Sequence, residues 1–146
     1  MNRRKIISWL AVILWLILIF ILSSQPVYKS NGLSKGIAEK IIKNIEKISP
    51  DKDISLGRFN HYLRKTAHFV AYMVLGILVM NVLKAMGVGG KKRIALALLI
   101  CIVYAITDEF HQLFVPGRGA QVKDVIIDSI GALVGVGICT NLHPGH

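Results

Sequence analysis

Ionisable side chains are joined to apolar stretches of this sequence at three places, and these side chains are the ones that could do chemistry. The first group precedes an apolar stretch and consists of His61, Arg64, Lys65, His68 and Tyr72. Their spacing places them on one face of a helix. Charged groups that face lipid are costly, so such groups normally face inward and find partners. Histidines beside cations point to acid–base chemistry or to recognition of an anion.

Two further groups follow along the chain. The second consists of Tyr104, Asp108, Glu109, His111 and Gln112, and the third of Arg118, Lys123, Asp124 and Asp128. Spacings of three and four residues again place most members of a group on one helix face. Together the three groups contain four carboxylates and four Lys or Arg cations. Arg and Lys suit the oxygens of a phosphate, and carboxylates next to histidines suit proton transfer.

Each group also has a structural interpretation. Arg64 or Lys65 near a helix end can be an interfacial anchor whose charge reaches the membrane surface. Asp124 in a first helical turn can favour the positive end of the helix dipole. Single histidines such as His68 are often interior groups with a satisfied hydrogen bond. Because three separate segments carry such groups, we favour a functional site over a purely structural network.

The composition identifies the setting of these groups. The chain has 146 residues, of which 53% are hydrophobic and only 18% charged, and its net charge is +10. So high an apolar content excludes a disordered chain, and two cysteines exclude a disulfide-stapled scaffold. Nucleic-acid binding proteins are basic but lack this apolar content, so nucleic acid is not an expected partner. The cations are better explained by anionic lipid head groups.

Apolar runs predict an all-α membrane protein with four transmembrane helices in a compact bundle and no sheet. The first run, Ile6–Leu22, is uncharged for 17 residues and lacks a small-x-small cleavage site, which favours a retained helix over a signal peptide. With polar flanks added, the predicted helices cover about 6–24, 60–84, 92–115 and 122–141. Gly131 and Gly135 form a small-xxx-small pair, which predicts close approach of the last helix to a neighbour. The whole range 1–146 is predicted to be one domain.

Between the first two runs, apolar residues recur every three or four positions over about 32–48. Lysines and glutamates occupy the other side. This pattern predicts an amphipathic helix. It can lie in the membrane interface of the first extracytoplasmic loop or pack on the rim of the bundle, and both interpretations stay open.

The arrangement of Lys and Arg predicts the orientation. Dense clusters at Arg3–Lys5 and Lys91–Arg93 fall on one side when the helix count is four, which places both termini in the cytoplasm of a multi-pass cell-membrane protein. Nine further cations between Lys29 and Lys65 would then lie outside, but they are spread along a long loop and mixed with acidic residues. In this topology all three polar groups lie together at the outward end.

Two strings resemble the VanZ-like family of small bacterial integral membrane proteins. One is the pattern R-K-x-x-H-F-x-x-Y-x-x-L-G over residues 64–76, and the other is D-E-F-H-Q-L-F-V-P-G-R over residues 108–118. Asp124, Asp128 and Gly131 continue the second pattern. The sequence S-S-Q-P at 23–26 also resembles the family, so the likeness covers nearly the whole chain. It implies a membrane protein of the cell envelope, in a family named after a member linked to low-level resistance to teicoplanin, a glycopeptide antibiotic that binds cell-wall precursors.

Three functions follow from these residues. The first is binding or modification of an anionic envelope lipid or lipid-linked cell-wall precursor at the outward cluster. Predicted binding residues are Arg64, Lys65, Tyr72, Gln112, Arg118, Asp124 and Asp128. Predicted acid–base residues are Asp108, Glu109, His68 and His111. Membrane lipids are the expected partners, and the oligomeric state stays open.

The second function is a metal-dependent membrane hydrolase, in which His68, His111 and two carboxylates hold a divalent ion with an open position. The third is a structural or regulatory membrane partner whose polar groups only pin the helices together. The sequence decides neither whether a metal or other cofactor binds nor whether the protein is an enzyme.

Overall fold

A computed structural model describes residues 3–26, 32, 36–37, 39–41, 43 and 56–142. Four helices dominate this part of the chain: α1 Arg3–Ser23, α2 Leu56–Ala85, α3 Gly90–Gln112 and α4 Val122–Leu142. The described residues contain no β-strand, which confirms the predicted helical class. A turn with a left-handed Gly87 joins α2 to α3, where a residue without Cβ adopts φ +85° without strain.

Three of the helical segments are long and apolar enough to cross a membrane: Arg3–Ser23, His61–Ala85 and Gly90–Gln112. A helix of 21 residues is about 31 Å long, close to the thickness of the hydrocarbon core. Large apolar side chains on α1 face outward, and Leu14 is 65% exposed. Such a continuous apolar surface is stable against lipid and unstable against water. The chain is therefore described as a membrane protein.

The α2–α4 contact is the most extensive in the bundle, and glycines on α4 allow it. A Cβ atom at Gly131 would collide with the carbonyl of Phe69, and one at Gly135 with the carbonyl of Met73. These contacts confirm the close approach predicted from the glycine spacing. A third close contact was not predicted from the sequence: a Cβ at Gly76 would lie 2.6 Å from the carbonyl oxygen of Ala132.

Helix α1 lies against α2 and is tied to the bundle by polar side chains. The indole Nε1 of Trp15 donates a hydrogen bond to the carbonyl of Ala71 on α2, at 2.9 Å. The hydroxyl of Tyr104 on α3 donates to the carbonyl of Leu16, at 2.7 Å. Both acceptors are helical backbone carbonyls, and these bonds fix the depth of α1 in the bundle.

Helix α2 begins at Leu56, four residues before the predicted bound of 60, and α3 stops at Gln112 and not at residue 115. The next amides bond three residues back, from Leu113 to Phe110 and from Phe114 to His111, which tightens the chain into a turn. Pro116 then disfavours the α conformation at the residue before it. For the predicted amphipathic helix, the described residues between 32 and 43 are helical, and the others in its range lie outside the described residues.

Candidate functional site

The three polar groups meet at one end of the bundle, where α1 and α3 end and α2 and α4 begin. The ammonium Nζ of Lys65 lies 3.1 Å from the Oδ1 atom of Asp124, so an ion pair joins the third turn of α2 to the first turn of α4. The backbone amide of Gln121 donates to the Oε2 atom of Glu109, at 2.8 Å. This second contact holds the loop before α4 against α3.

His68 and Asp128 form a second contact between α2 and α4. The imidazole Nδ1 lies 3.5 Å from the Oδ2 atom of Asp128, one helical turn deeper than the Lys65–Asp124 pair. The Asp128 side chain is fully buried, whereas the His68 side chain is 25% exposed. The ring therefore links a buried carboxylate to the open surface of the bundle.

A hydrogen bond between side chains joins α1 to α3 at the same end. The amide Nε2 of Gln112 donates to the hydroxyl oxygen of Ser23, at 2.9 Å, and both side chains are buried. Asp108 lies near both of them. It is only 3% exposed, and neither of its carboxyl oxygens meets a hydrogen-bond partner among the described residues.

These contacts surround a small polar cleft with a volume of about 10 Å³. The cleft is lined by Arg64, Lys65, His68, Gln112, Arg118, Asp124, Ile127 and Asp128. Six of the seven predicted binding residues therefore lie around one space. Ile127 also lines the cleft but was not predicted, because nothing in its type or spacing distinguishes it in the sequence from the other apolar residues of α4.

The guanidinium groups of Arg64 and Arg118 are the cleft cations without a carboxylate partner. Among the described residues, neither forms a salt bridge, and the Nε atom of Arg118 is buried without a hydrogen-bond acceptor. Burial, together with the nearby charge of Arg64, lowers the pKa of Arg118 from its ordinary value. Nearby carboxylates oppose that shift. The two guanidinium groups repel each other, so an anion placed between them would stabilise both.

Several predicted residues lie outside the cleft lining. Tyr72 was predicted to bind a ligand, but its side chain is fully buried in the core against Tyr104, with ring centroids 6.2 Å apart. His111 packs against the ring of Phe20 on α1, at a centroid distance of 4.6 Å. Asp108 and Glu109 are also not among the lining residues. Of the four predicted acid–base residues, only His68 lines the cleft.

The segments that meet at the polar end of the bundle carry the motifs that resemble the VanZ-like family. A comparison with family models tests that resemblance over the whole chain. The family model described as VanZ/LLP1 matches residues 8–143, which is almost the entire chain. The chain belongs to the VanZ/LLP1 family. No curated protein and no solved structure matches it significantly.

This VanZ/LLP1 chain also has an apolar cavity of about 320 Å³ beside the polar cleft. Its walls come mainly from α1 and α2, and Arg64, His68 and Arg118 line both spaces. Sequence analysis missed this cavity. Its apolar lining residues have the same types as the lipid-facing residues around them, so no sequence signal separates the two.

The VanZ/LLP1 site gives no geometric support to the metal-dependent alternative. Across the described residues, no group of three or more His, Cys, Asp or Glu side chains is placed to hold a metal ion. The metal-dependent alternative needs His68 and His111 in one site. Instead, His68 contacts Asp128 and His111 packs against Phe20.

The orphaned carboxylate of Asp108 leads to a stability prediction. We expect Asp108→Asn to raise the free energy of unfolding by about 1–3 kcal/mol, because it removes a buried charge whose oxygens have no partners. Thermal unfolding in detergent measures the change. Asp124→Asn is the matched control, since it breaks the ion pair with Lys65 and gives no such gain. A loss of stability in Asp108→Asn would instead make that carboxylate part of the structural network.

Proposed function

We propose that this protein binds the phosphate of an anionic envelope lipid, or of a lipid-linked cell-wall precursor, between Arg64 and Arg118, at the junction of the polar cleft and the apolar cavity of about 320 Å³. The proposal rests on which charged side chains around the cleft are already paired with an opposite charge and which are not. Asp124 contacts Lys65, and Asp128 contacts His68, whereas Arg64 and Arg118 lack carboxylate partners among the described residues. Guanidinium groups bind phosphate oxygens through paired, charge-assisted hydrogen bonds.

The polar residues then have two different roles. Lys65, Asp124, Glu109, Gln112 and Ser23 hold the four helices together at the site, as the structural alternative requires. Arg64, Arg118 and His68 are the residues presented to a ligand. Because only one predicted acid–base residue lines the cleft, binding is better supported than a reaction.

The topology proposed with this function has four membrane-spanning helices and both termini in the cytoplasm. Helix α4 has 21 residues, enough to cross the hydrocarbon core, and it packs against α2 along its length. The dense basic clusters at Arg3–Lys5 and Lys91–Arg93 lie at the end opposite the cleft, where the positive-inside rule places the cytoplasm. The cleft therefore faces the outer leaflet, and the predicted helix over 32–48 lies in the outer interface.

This location connects the cleft to the family's link with teicoplanin. A glycopeptide acts on cell-wall precursors outside the cytoplasm, and an outward cleft that binds a lipid phosphate would meet those precursors. We propose that any change in glycopeptide susceptibility caused by this protein depends on Arg118. Susceptibility of cells that produce wild type or Arg118→Gln at equal abundance tests the connection.

Direct binding tests the proposed function itself. The purified protein in non-ionic detergent is mixed with a single-chain alkyl phosphate or the matching alkyl alcohol, and bound lipid is counted by native mass spectrometry. We expect selective retention of the phosphate, and we expect Arg118→Gln to weaken its binding by about tenfold or more. Lys123→Gln is the matched control, because Lys123 is exposed and does not line the cleft. Equal retention of phosphate and alcohol would refute the proposal.

A further inference from the structure

An apolar groove runs from the polar cleft down the seam between α1 and α2. Its upper part is the cavity of about 320 Å³ already described, and its lower part is a second cavity of about 380 Å³. The two cavities share Ile19, Leu22, Leu63, Ala67 and Ala71, so they adjoin each other along the seam. Each part has the size of a small-molecule pocket.

Small residues on α2 and the tethers of α1 explain why the groove stays open. Ala67 and Ala71, one turn apart on α2, leave room that larger side chains would fill. At the upper end, α1 is bonded to α3 through Ser23 and Gln112. Deeper in the bundle, Tyr104 bonds to the carbonyl of Leu16. Both of these bonds tie α1 to α3, and the bond from Trp15 to the carbonyl of Ala71 ties it to α2, so α1 is fixed relative to the walls of the groove.

The two ends of the groove differ in chemistry. Arg64, His68 and Arg118 line its upper part, where the groove meets the polar cleft. Trp15 lines its lower part and is bonded to the carbonyl of Ala71. Arg64 and Ala71 are seven residues apart on α2, which corresponds to about 10 Å along the helix axis. Cations at one end and hydrocarbon at the other match an amphiphile with an anionic head.

We infer that the groove holds the hydrocarbon chain of a lipid phosphate that has a single chain, with the phosphate between Arg64 and Arg118. This inference rests on the proposed function and identifies the class of lipid. Because the two arginines line the groove itself, the phosphate follows directly on the chain, without a glycerol unit between them. The cavity that the two arginines line is one space of about 320 Å³, which a single chain occupies.

Fluorescence of Trp15 tests the position of the chain. Trp9 is replaced first (Trp9→Phe), so that Trp15 is the remaining tryptophan of the two in the chain. Bromine atoms on a hydrocarbon chain quench a tryptophan that they contact. We expect dibromostearyl phosphate to quench Trp15 at about tenfold lower concentration than dibromostearyl alcohol, because only the phosphate is bound by the arginines. Equal quenching by the two probes would overturn the inference.

Two further comparisons locate the chain within the groove. Bromines near the end of the chain are expected to quench Trp15 more than bromines next to the phosphate, since Trp15 lies at the end away from the cations. Ala67→Phe is expected to weaken quenching severalfold by filling the groove, and Ala95→Phe, at an exposed alanine on α3, is the matched control. Equal effects of the two substitutions, or of the two bromine positions, would overturn the inference.

Failure of the inference can be told apart from failure of the proposed function. If mass spectrometry shows Arg118-dependent retention of the alkyl phosphate while Trp15 is not quenched, the chain lies elsewhere and the proposed function stands. If a brominated phosphatidic acid with two chains quenches Trp15 as strongly as the single-chain probe, the assignment to single-chain lipids is wrong. If no alkyl phosphate is retained, the proposed function fails, and the inference fails with it.

Discussion

Replacing Gly135 by alanine is expected to lower the free energy of unfolding by about 3 kcal/mol, the largest stability change that a single methyl group should cause in this protein. The new Cβ would collide with the backbone carbonyl of Met73 on α2. A carbonyl in the middle of a helix cannot rotate away as a long side chain can. The helices must therefore separate, and the contact between α2 and α4 is the most extensive in the bundle.

Gly137 provides the control for this prediction. It lies two residues further along the same helix, and a Cβ at that position would meet nothing within 4 Å. Gly137→Ala should leave stability unchanged or raise it by up to about 1 kcal/mol, since alanine favours the helix. Unfolding of both variants in detergent, followed by circular dichroism, measures the difference. Equal stability of the two variants would mean that α2 and α4 are further apart than the structure shows.

The second large effect is expected on binding. Together, Arg64→Gln and Arg118→Gln should weaken binding of an alkyl phosphate by about 100-fold or more, because each guanidinium supplies charge-assisted hydrogen bonds of about 1.5–3 kcal/mol. The stability of this double variant should not fall, since neither group forms a salt bridge with a described carboxylate. Titration of the purified protein with the alkyl phosphate gives the affinities, and melting temperatures give the stability.

Two controls separate specific contacts from overall charge. Lys84→Gln combined with Lys123→Gln removes the same number of charges at exposed positions outside the cleft, and affinity should stay near that of wild type. Lys65→Gln is the stricter control, because Lys65 adjoins Arg64 in the chain but is already paired with Asp124. A loss on Lys65→Gln as large as that on Arg64→Gln would show that the two cations were assigned the wrong roles.

The helical class, three of the spanning segments and the glycine contacts could be predicted from the sequence because each depends on a local pattern. Hydrophobic runs reflect what a membrane requires of any helix. Gly131 and Gly135 mark a helix face with no side chains, and such a face allows close approach wherever the partner lies. The polar groups could also be expected at one end, since that follows from where each group stands relative to its apolar run.

The sequence could not predict which polar residues pair with one another and which face the cleft unpaired. Arg64 and Lys65 are neighbours with the same charge, and only the position of α4 decides that Lys65 reaches Asp124. Asp108 and Glu109 are likewise adjacent, yet Glu109 accepts a backbone amide while Asp108 has no partner among the described residues. His111 shares a helix turn with Asp108, and its ring packs on Phe20 because α1 lies there. Helical spacing does not carry this information about neighbouring helices.

The pairing of α2 with α4 has a consequence for how the protein is made. These helices are separated in the chain by α3, so α4 is synthesised after α2 and α3 and can reach α2 only then. Lys65 and His68 meet Asp124 and Asp128 at that step. Until then, the polar face at the start of α2 has no partner on α4, and a chain interrupted before α4 exposes that face. The cleft is thus complete only once α4 has packed against α2, so its assembly depends on a contact between two helices that are not consecutive in the chain.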